Sequence, residues 1–158
     1  MKHLSDSRRP IFSATIRFDK RTTEANISLM KDETIDNILG HDRVAEHFNM
    51  KVVFCSDGKA ALTMSLEDRH LNGFDSAQGG AIFSLADVAC AMAANTRGQA
   101  VTAAASITFL KAVKAGVLTA SATEVSLSNR LGTYECHVRD EAGTAVALLQ
   151  ASCYRLGR

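Results

Sequence analysis

Asp87 is the only charged residue in the stretch Ala81–Ala94, which is otherwise apolar nearly all round. A helix of that composition is buried on most sides. An unpaired carboxylate there costs several kcal/mol unless something compensates. Asp87 must therefore be hydrogen-bonded, raised in pKa, or turned to a cleft. Each state suits a carboxylate acting as general base or nucleophile. An Asp that caps a neighbouring loop, or meets water at an oligomer seam, fits the same residues. Just upstream, Gln78-Gly79-Gly80 stands where that helix begins. Glycines let a ligand approach the backbone closely, and a helix N-terminus carries partial positive charge. Amides there could polarise a carbonyl and stabilise an oxyanion. A plain loop-to-helix turn has the same composition. Asn72 precedes them in the same loop and could orient a water or a carbonyl, although Asn72-Gly73 is also a strong turn pair.

The elements that position these residues follow from periodicity. Asp32–Phe48 is helical but broken: Ile35, Ile38 and Leu39 share a face, Gly40 interrupts, Asp42 can cap, and Val44, Ala45 and Phe48 resume. Met50–Ser56 and Ala60–Leu66 read as strands joined by a tight Asp57-Gly58 hairpin turn. Residues 71–80 form a polar loop and 81–94 a helix. Four strands are then expected at Val101–Leu110, Val117–Leu127, Thr133–Arg139 and Thr144–Arg155, separated by turns at 114–116, 128–132 and 140–143. Tyr134, Cys136 and Val138 alternate with polar neighbours, and Ala145, Ala147, Leu149, Ala151 and Cys153 share one face. The fold class is α+β, one central helix on a curved antiparallel sheet. Residues 1–31 read as an N-terminal extension. Phe12, Ala14, Ile16 and Phe18 alternate with polar residues, and Asn26–Met30 is a second short strand candidate. Residues 32–158 form the main domain.

Composition narrows the function classes. The chain has 158 residues, 46% of them hydrophobic, which suits one soluble globular domain. With 18 basic and 17 acidic residues the net charge is +1, so no global field favours nucleic acid or an anionic membrane. No apolar run approaches the roughly 18 residues of a membrane span. Cys55, Cys90, Cys136 and Cys153 show neither zinc-knuckle nor redox CxxC spacing and read as reduced thiols. The start has no apolar signal segment, and a cytoplasmic location is expected. His41, His47, His70 and His137 do not form an evident metal site, and no phosphate-loop or dinucleotide fingerprint occurs.

The segment Asn72-Gly73-Phe74-Asp75-Ser76-Ala77-Gln78-Gly79-Gly80-Ala81-Ile82-Phe83-Ser84-Leu85-Ala86-Asp87-Val88-Ala89 resembles the signature of the PaaI-like hotdog thioesterases, N-G-x-x-x-x-H-G-G-x-x-F-S-L-A-D-x-A. The likeness continues through Asn95-Thr96-Arg97-Gly98, Ile107-Thr108-Phe109-Leu110-Lys111, Gly132-x-Tyr134 and Ala145-Val146-Ala147-Leu148. It runs from about residue 35 to the C-terminus. It implies a hotdog fold, a homodimer or homotetramer, and hydrolysis of acyl-CoA thioesters with aryl-acyl or medium-chain acyl groups. No cofactor is implied, because the CoA thioester is substrate. By the same resemblance Asp87 acts from one subunit and the Gly-Gly amides from the other, with Asn72 placing the carbonyl or the water. Gly80, Phe83, Lys111 and Arg130 are the expected substrate contacts, and Lys114 and Arg97 could join a basic patch for CoA phosphates.

Two departures stand out. The family's His before Gly-Gly is Gln78, which donates a hydrogen bond but does not titrate. Lys111-Ala112-Val113 replaces a basic residue followed by Pro. Gln78 leaves room for a second reading, a hotdog that binds acyl-CoA without turnover. A third, dehydration of 3-hydroxyacyl thioesters, would need a His base, for which His70 is near in sequence.

Overall fold

The computed structural model describes residues 41–157. The N-terminal extension, the first half of the broken helix and the division at residues 31 and 32 lie outside the described residues. The described part opens with α1 (Arg43–His47), whose N-terminus Asp42 caps by accepting from Val44 N at 2.9 Å and Ala45 N at 3.0 Å. Ala45 packs inward, while Val44 points outward.

β1 (Lys51–Ser56) and β2 (Lys59–Ser65) form the expected hairpin. Asp57 and Gly58 have φ of 49° and 73°, the paired left-handed conformation that an Asp-Gly turn provides. A 3-10 turn at Asp68–His70 leads into the loop that carries Asn72. The central helix, α2, spans Gly79–Asn95, two residues longer at its start than the apolar pattern alone outlines. Then follow β3 (Ala100–Phe109), β4 (Val117–Leu127), β5 (Leu131–Arg139) and β6 (Ala145–Arg155). The β4–β5 turn is shorter than the sequence suggests, because Leu131 and Gly132 already pair with Tyr154 and Cys153.

The six strands make one antiparallel sheet in the order β1-β2-β4-β5-β6-β3. α2 lies across one face and touches every strand. Leu85 and Met92 of the helix meet Leu62, Met64, Leu118, Val138 and Leu149 of the sheet, all fully buried. Each such side chain contributes about 1.5–3 kcal/mol. This is the helix-on-sheet hotdog arrangement.

One irregularity bears on function. β3 carries a bulge: Thr102 pairs with Cys153 and Ala104 with Ser152, so Ala103 has no partner. An extra residue reverses which side chains face the helix. Ala100 and Thr102 face it before the bulge; Ala105, Ile107 and Phe109 face it afterwards, opposite the inward Ala151, Leu149 and Ala147 of β6.

Candidate active site

α2 is buried along most of its circumference, but one stripe stays open. Gly80, Phe83, Ser84, Asp87, Ala91 and Asn95 are exposed or half-buried, at the three- and four-residue spacing of a single helix face. Asp87 and Phe83 lie one turn apart on this stripe. The carboxylate thus lies on the open stripe of α2, next to Thr102 of the edge strand β3.

Asp87 Oδ1 accepts a hydrogen bond from Thr102 Oγ1 at 3.0 Å. Burial pushes the carboxyl above the ordinary carboxylate range; Thr102 opposes the shift by favouring the charged form, and the charge of Asp42 reinforces it. Thr102 fixes one oxygen and leaves the other for chemistry. Sequence reasoning misses Thr102, because its direction depends on the bulge.

At the start of α2, Gln78 is the N-cap. Its side-chain oxygen accepts from the amide of Gly80 and from Ala81 N at 3.2 Å, and its own backbone carbonyl receives Ile82 N at 3.2 Å. Those bonds occupy the first-turn donors after Gly79. The Gly79 N–H makes no hydrogen bond among the described residues and is the open amide of the helix N-terminus. The expected donor pair thus narrows to one: the Gly80 amide serves the cap, and Gly79 is free to meet a ligand oxygen. Phe109 lies against Gly79. A Cβ at position 79 would stand 3.1 Å from the tip of its ring, so glycine makes room for the aromatic. Phe109 too depends on the bulge for its direction.

Asn72 shapes the loop. Its side-chain oxygen accepts from Phe74 N at 2.9 Å and Ser76 N at 3.3 Å, and its backbone N–H donates to Ser76 O at 2.8 Å. The turn therefore holds the oxygen and leaves the side-chain NH₂ as its donor. Gln78 N donates to His70 O at 2.8 Å and Ala77 N to Val113 O at 2.7 Å, which ties the loop to the body of the fold.

His70 does not reach this stripe. It is fully buried, its Nδ1 accepts from Glu67 N at 3.0 Å, and its Nε2 has no hydrogen-bond partner. Burial and the neighbouring Arg69 hold its pKa below the ordinary value, so it stays neutral. A dehydratase base at this position is not available to substrate.

The basic residues split into two groups. Lys111 and Lys114 lie near the start of α2, through the contacts of Phe109 with Gly79 and of Val113 with Ala77. Lys111 pairs with Asp140 at 2.9 Å across the surface. Arg97 and Arg130 lie beyond the other end of the helix, linked through Arg155, which donates to Arg97 O at 2.6 Å and to Arg130 O at 3.0 Å. Arg97 pairs with Glu124 at 3.2 Å, and Arg130 donates to Tyr154 Oη at 2.9 Å. One protomer therefore presents no single patch of four. Among the described residues no cluster of His, Cys, Asp or Glu could hold a metal, and no helix is long and apolar enough to cross a membrane.

The fold agrees with comparisons to known proteins. Residues 76–147 match the family model for the thioesterase superfamily, a span that includes Gln78, Gly79, Asp87 and Thr102. A putative esterase of Archaeoglobus fulgidus is 35% identical over 134 residues, covering 84% of this chain and 87% of that protein. The acyl-coenzyme A thioesterase PaaI of Escherichia coli is 34% identical over 119 residues, covering 74% and 85% respectively. The solved structure of the E. coli PaaI protein from the phenylacetic acid degradation operon superposes with a TM-score of 0.76 at 32% identity, covering 79% of this chain and 92% of that one. Signature, sheet order and relatives converge: the chain belongs to the PaaI-like hotdog thioesterases of the thioesterase superfamily, and it is a thioester hydrolase.

Proposed function

We propose that the protein hydrolyses acyl-CoA thioesters, releasing the free acid and CoA, in a site shared by two copies of the chain. The observation that carries this reading is the separation of the two reactive groups. Asp87 and the Gly79 amide lie eight residues apart on one helix, which at the rise of an α-helix is about 12 Å. A base and an oxyanion donor must each come within about 3 Å of the same carbonyl group or its attacking water. One helix cannot do this, but two helices related by a two-fold axis can set Gly79 of one beside Asp87 of the partner subunit.

The edge of the sheet supports such pairing. β3 has no charged residue and no proline along Ala100–Phe109, so its outer backbone groups are undefended. The opposite edge strand, β1, carries Lys51 and its own bulge between Val52 and Phe54. A dimer closed along β3 would also cover the open stripe of α2, and two such dimers would make the homotetramer.

In the shared site, Gly79 N–H polarises the thioester carbonyl and holds the developing oxyanion. With its second oxygen Asp87 either takes a proton from a water that attacks the carbonyl carbon, or attacks that carbon itself to give an anhydride that water then opens. In both cases the tetrahedral intermediate collapses with cleavage of the C–S bond, and CoA leaves as a thiolate that takes up a proton. Thr102 keeps the carboxylate aimed, and the Asn72 NH₂ group helps place the carbonyl or the water. Gln78 fixes the helix end rather than moving a proton, a role that needs a hydrogen-bond acceptor and not a titratable ring. Phe83 lies on the open stripe beside Asp87. Lys111 and Lys114 meet the CoA phosphates at the Gly79 end, whereas Arg130 serves the turn that holds Tyr154. Aryl-acyl and medium-chain acyl groups suit an apolar lining such as Phe83 gives. The reaction proceeds on the protein's own residues with no cofactor.

The test is thiol release from a panel of aryl-acyl and linear acyl-CoA esters. Turnover by the wild type, reduced about a hundredfold or more in Asp87→Asn, is expected. Tight acyl-CoA binding without release from any ester would instead make the protein a binding module.

A further inference from the structure

We propose that Phe109 sets the acyl specificity of this site by excluding branches at the carbon next to the thioester carbonyl. The inference rests on the shared-site reading above and concerns which acyl groups fit it. Its basis is the placement of one ring against one glycine. The three atoms nearest a Cβ built at Gly79 are all at the far end of the Phe109 ring: Cζ at 3.1 Å, Cε2 at 3.4 Å and Cε1 at 3.6 Å. The ring tip is therefore the neighbour that a side chain at position 79 would press against. The Gly79 N–H beside it is the free donor of the helix start, because Gln78 takes the Gly80 and Ala81 amides.

A carbonyl oxygen hydrogen-bonded to Gly79 N stands about 2.9 Å from it. In the proposed pose the acyl side of that carbonyl faces the ring, which brings the α-carbon within van der Waals reach of it. The first atoms of the acyl group meet Phe109 whatever lies farther along the chain. An unbranched CH₂ passes along the ring tip, while an α-methyl runs into it.

The ring has an anchored base and an open side. Its backbone ends β3 and pairs with Ala147, which is buried. The bulge at Ala103 turns Phe109 toward the helix, yet the residue remains 50% exposed. In a single protomer half of this side chain is left uncovered, with the ring tip at the Gly79 end of α2. Because Phe109 ends the strand along which two copies are proposed to pair, each variant's mass by light scattering is measured beside its kinetics.

The experiment compares two matched pairs, phenylacetyl-CoA with 2-phenylpropionyl-CoA and hexanoyl-CoA with 2-methylhexanoyl-CoA, for wild type, Phe109→Leu and Phe109→Ala. Wild type should favour the unbranched member of each pair in kcat/KM, by about tenfold or more, the discrimination one misplaced methyl group commands. Phe109→Ala should reduce that ratio about tenfold by raising turnover of the branched ester, with Phe109→Leu between. If Phe109→Ala fails to fold, Phe109→Leu alone must still lower the ratio. A ratio that stays constant while both esters slow together makes Phe109 a packing residue and overturns the inference, as does a wild type indifferent to the branch. A wild type that hydrolyses none of the four overturns the thioesterase reading and this inference with it, a result distinct from an active enzyme with an unchanged ratio.

Discussion

Two groups can be altered with little else disturbed: the Thr102 hydroxyl that donates to Asp87 and the backbone N–H of Gly79. A carboxylate base works only when ionised. Because burial raises the pKa of Asp87 above the ordinary carboxylate value, activity should fall on acidification at a higher pH than an unperturbed Asp would give. Thr102 donates to the charged form and holds that pKa down. Thr102→Val should therefore move the acid limb of the kcat/KM profile to still higher pH, while Thr102→Ser should leave it in place. A limb that does not move would show that the hydrogen bond has no hold on the titration. The Gly79 amide can be removed with unusual selectivity. Position 79 is the first residue of α2, where proline is welcome, and Gln78 already has the extended conformation (φ −68°, ψ 135°) that precedes proline. Gly79→Pro should keep the helix and lower kcat by about a hundredfold or more. Gly79→Ala, which adds the same Cβ against Phe109 but keeps the N–H, should lose far less. Equal losses would assign the effect to the displaced ring.

Among the elements, the cap and the sheet carry separable stabilities. Gln78→Ala removes the oxygen that accepts from two first-turn amides and should lower unfolding free energy by about 1 kcal/mol in a denaturant titration. Gly132→Ala should cost more, about 1–3 kcal/mol. Its Cβ would stand 2.7 Å from the ring of Tyr134, which is 1% exposed and cannot swing away. The elements also show how far a sequence can be read. The Asp57-Gly58 hairpin was legible because both residues supply the required positive φ. β5 was legible because Tyr134, Cys136 and Val138, all buried, alternate with the polar, half-buried Thr133, Glu135 and His137. Asp87 stood out because a single charge interrupts an apolar helix. β3 was different. Its Ala-rich run offers no hydrophobic contrast, and a bulge at Ala103 reverses its faces midway, so neither Thr102 on Asp87 nor Phe109 on Gly79 follows from spacing. The placement of the basic residues was not legible for another reason. Charge in turns says nothing about partners, and the fold sends Lys111 to Asp140 and Arg97 to Glu124 at opposite ends of the helix.

At the scale of the whole molecule, the proposed site needs Asp87 of one protomer and Gly79 of another. The undefended β3 edge and the open stripe of α2 both ask for a second copy. Light scattering should give a mass of at least two chains, and a stable, active monomer would remove the shared site. The most direct measurement uses two inactive variants together. Asp87→Asn and Gly79→Pro damage different halves of the shared site, so each alone should be nearly inert. In a hybrid dimer one site receives both defects and the other receives none. After unfolding and refolding an equal mixture, half the dimers are hybrids and each has one intact site of two. The account therefore predicts recovery of about a quarter of wild-type thioester hydrolysis. Hybrid dimers that form, as shown by differently tagged chains purifying together, yet recover no activity above the separate variants, would contradict it.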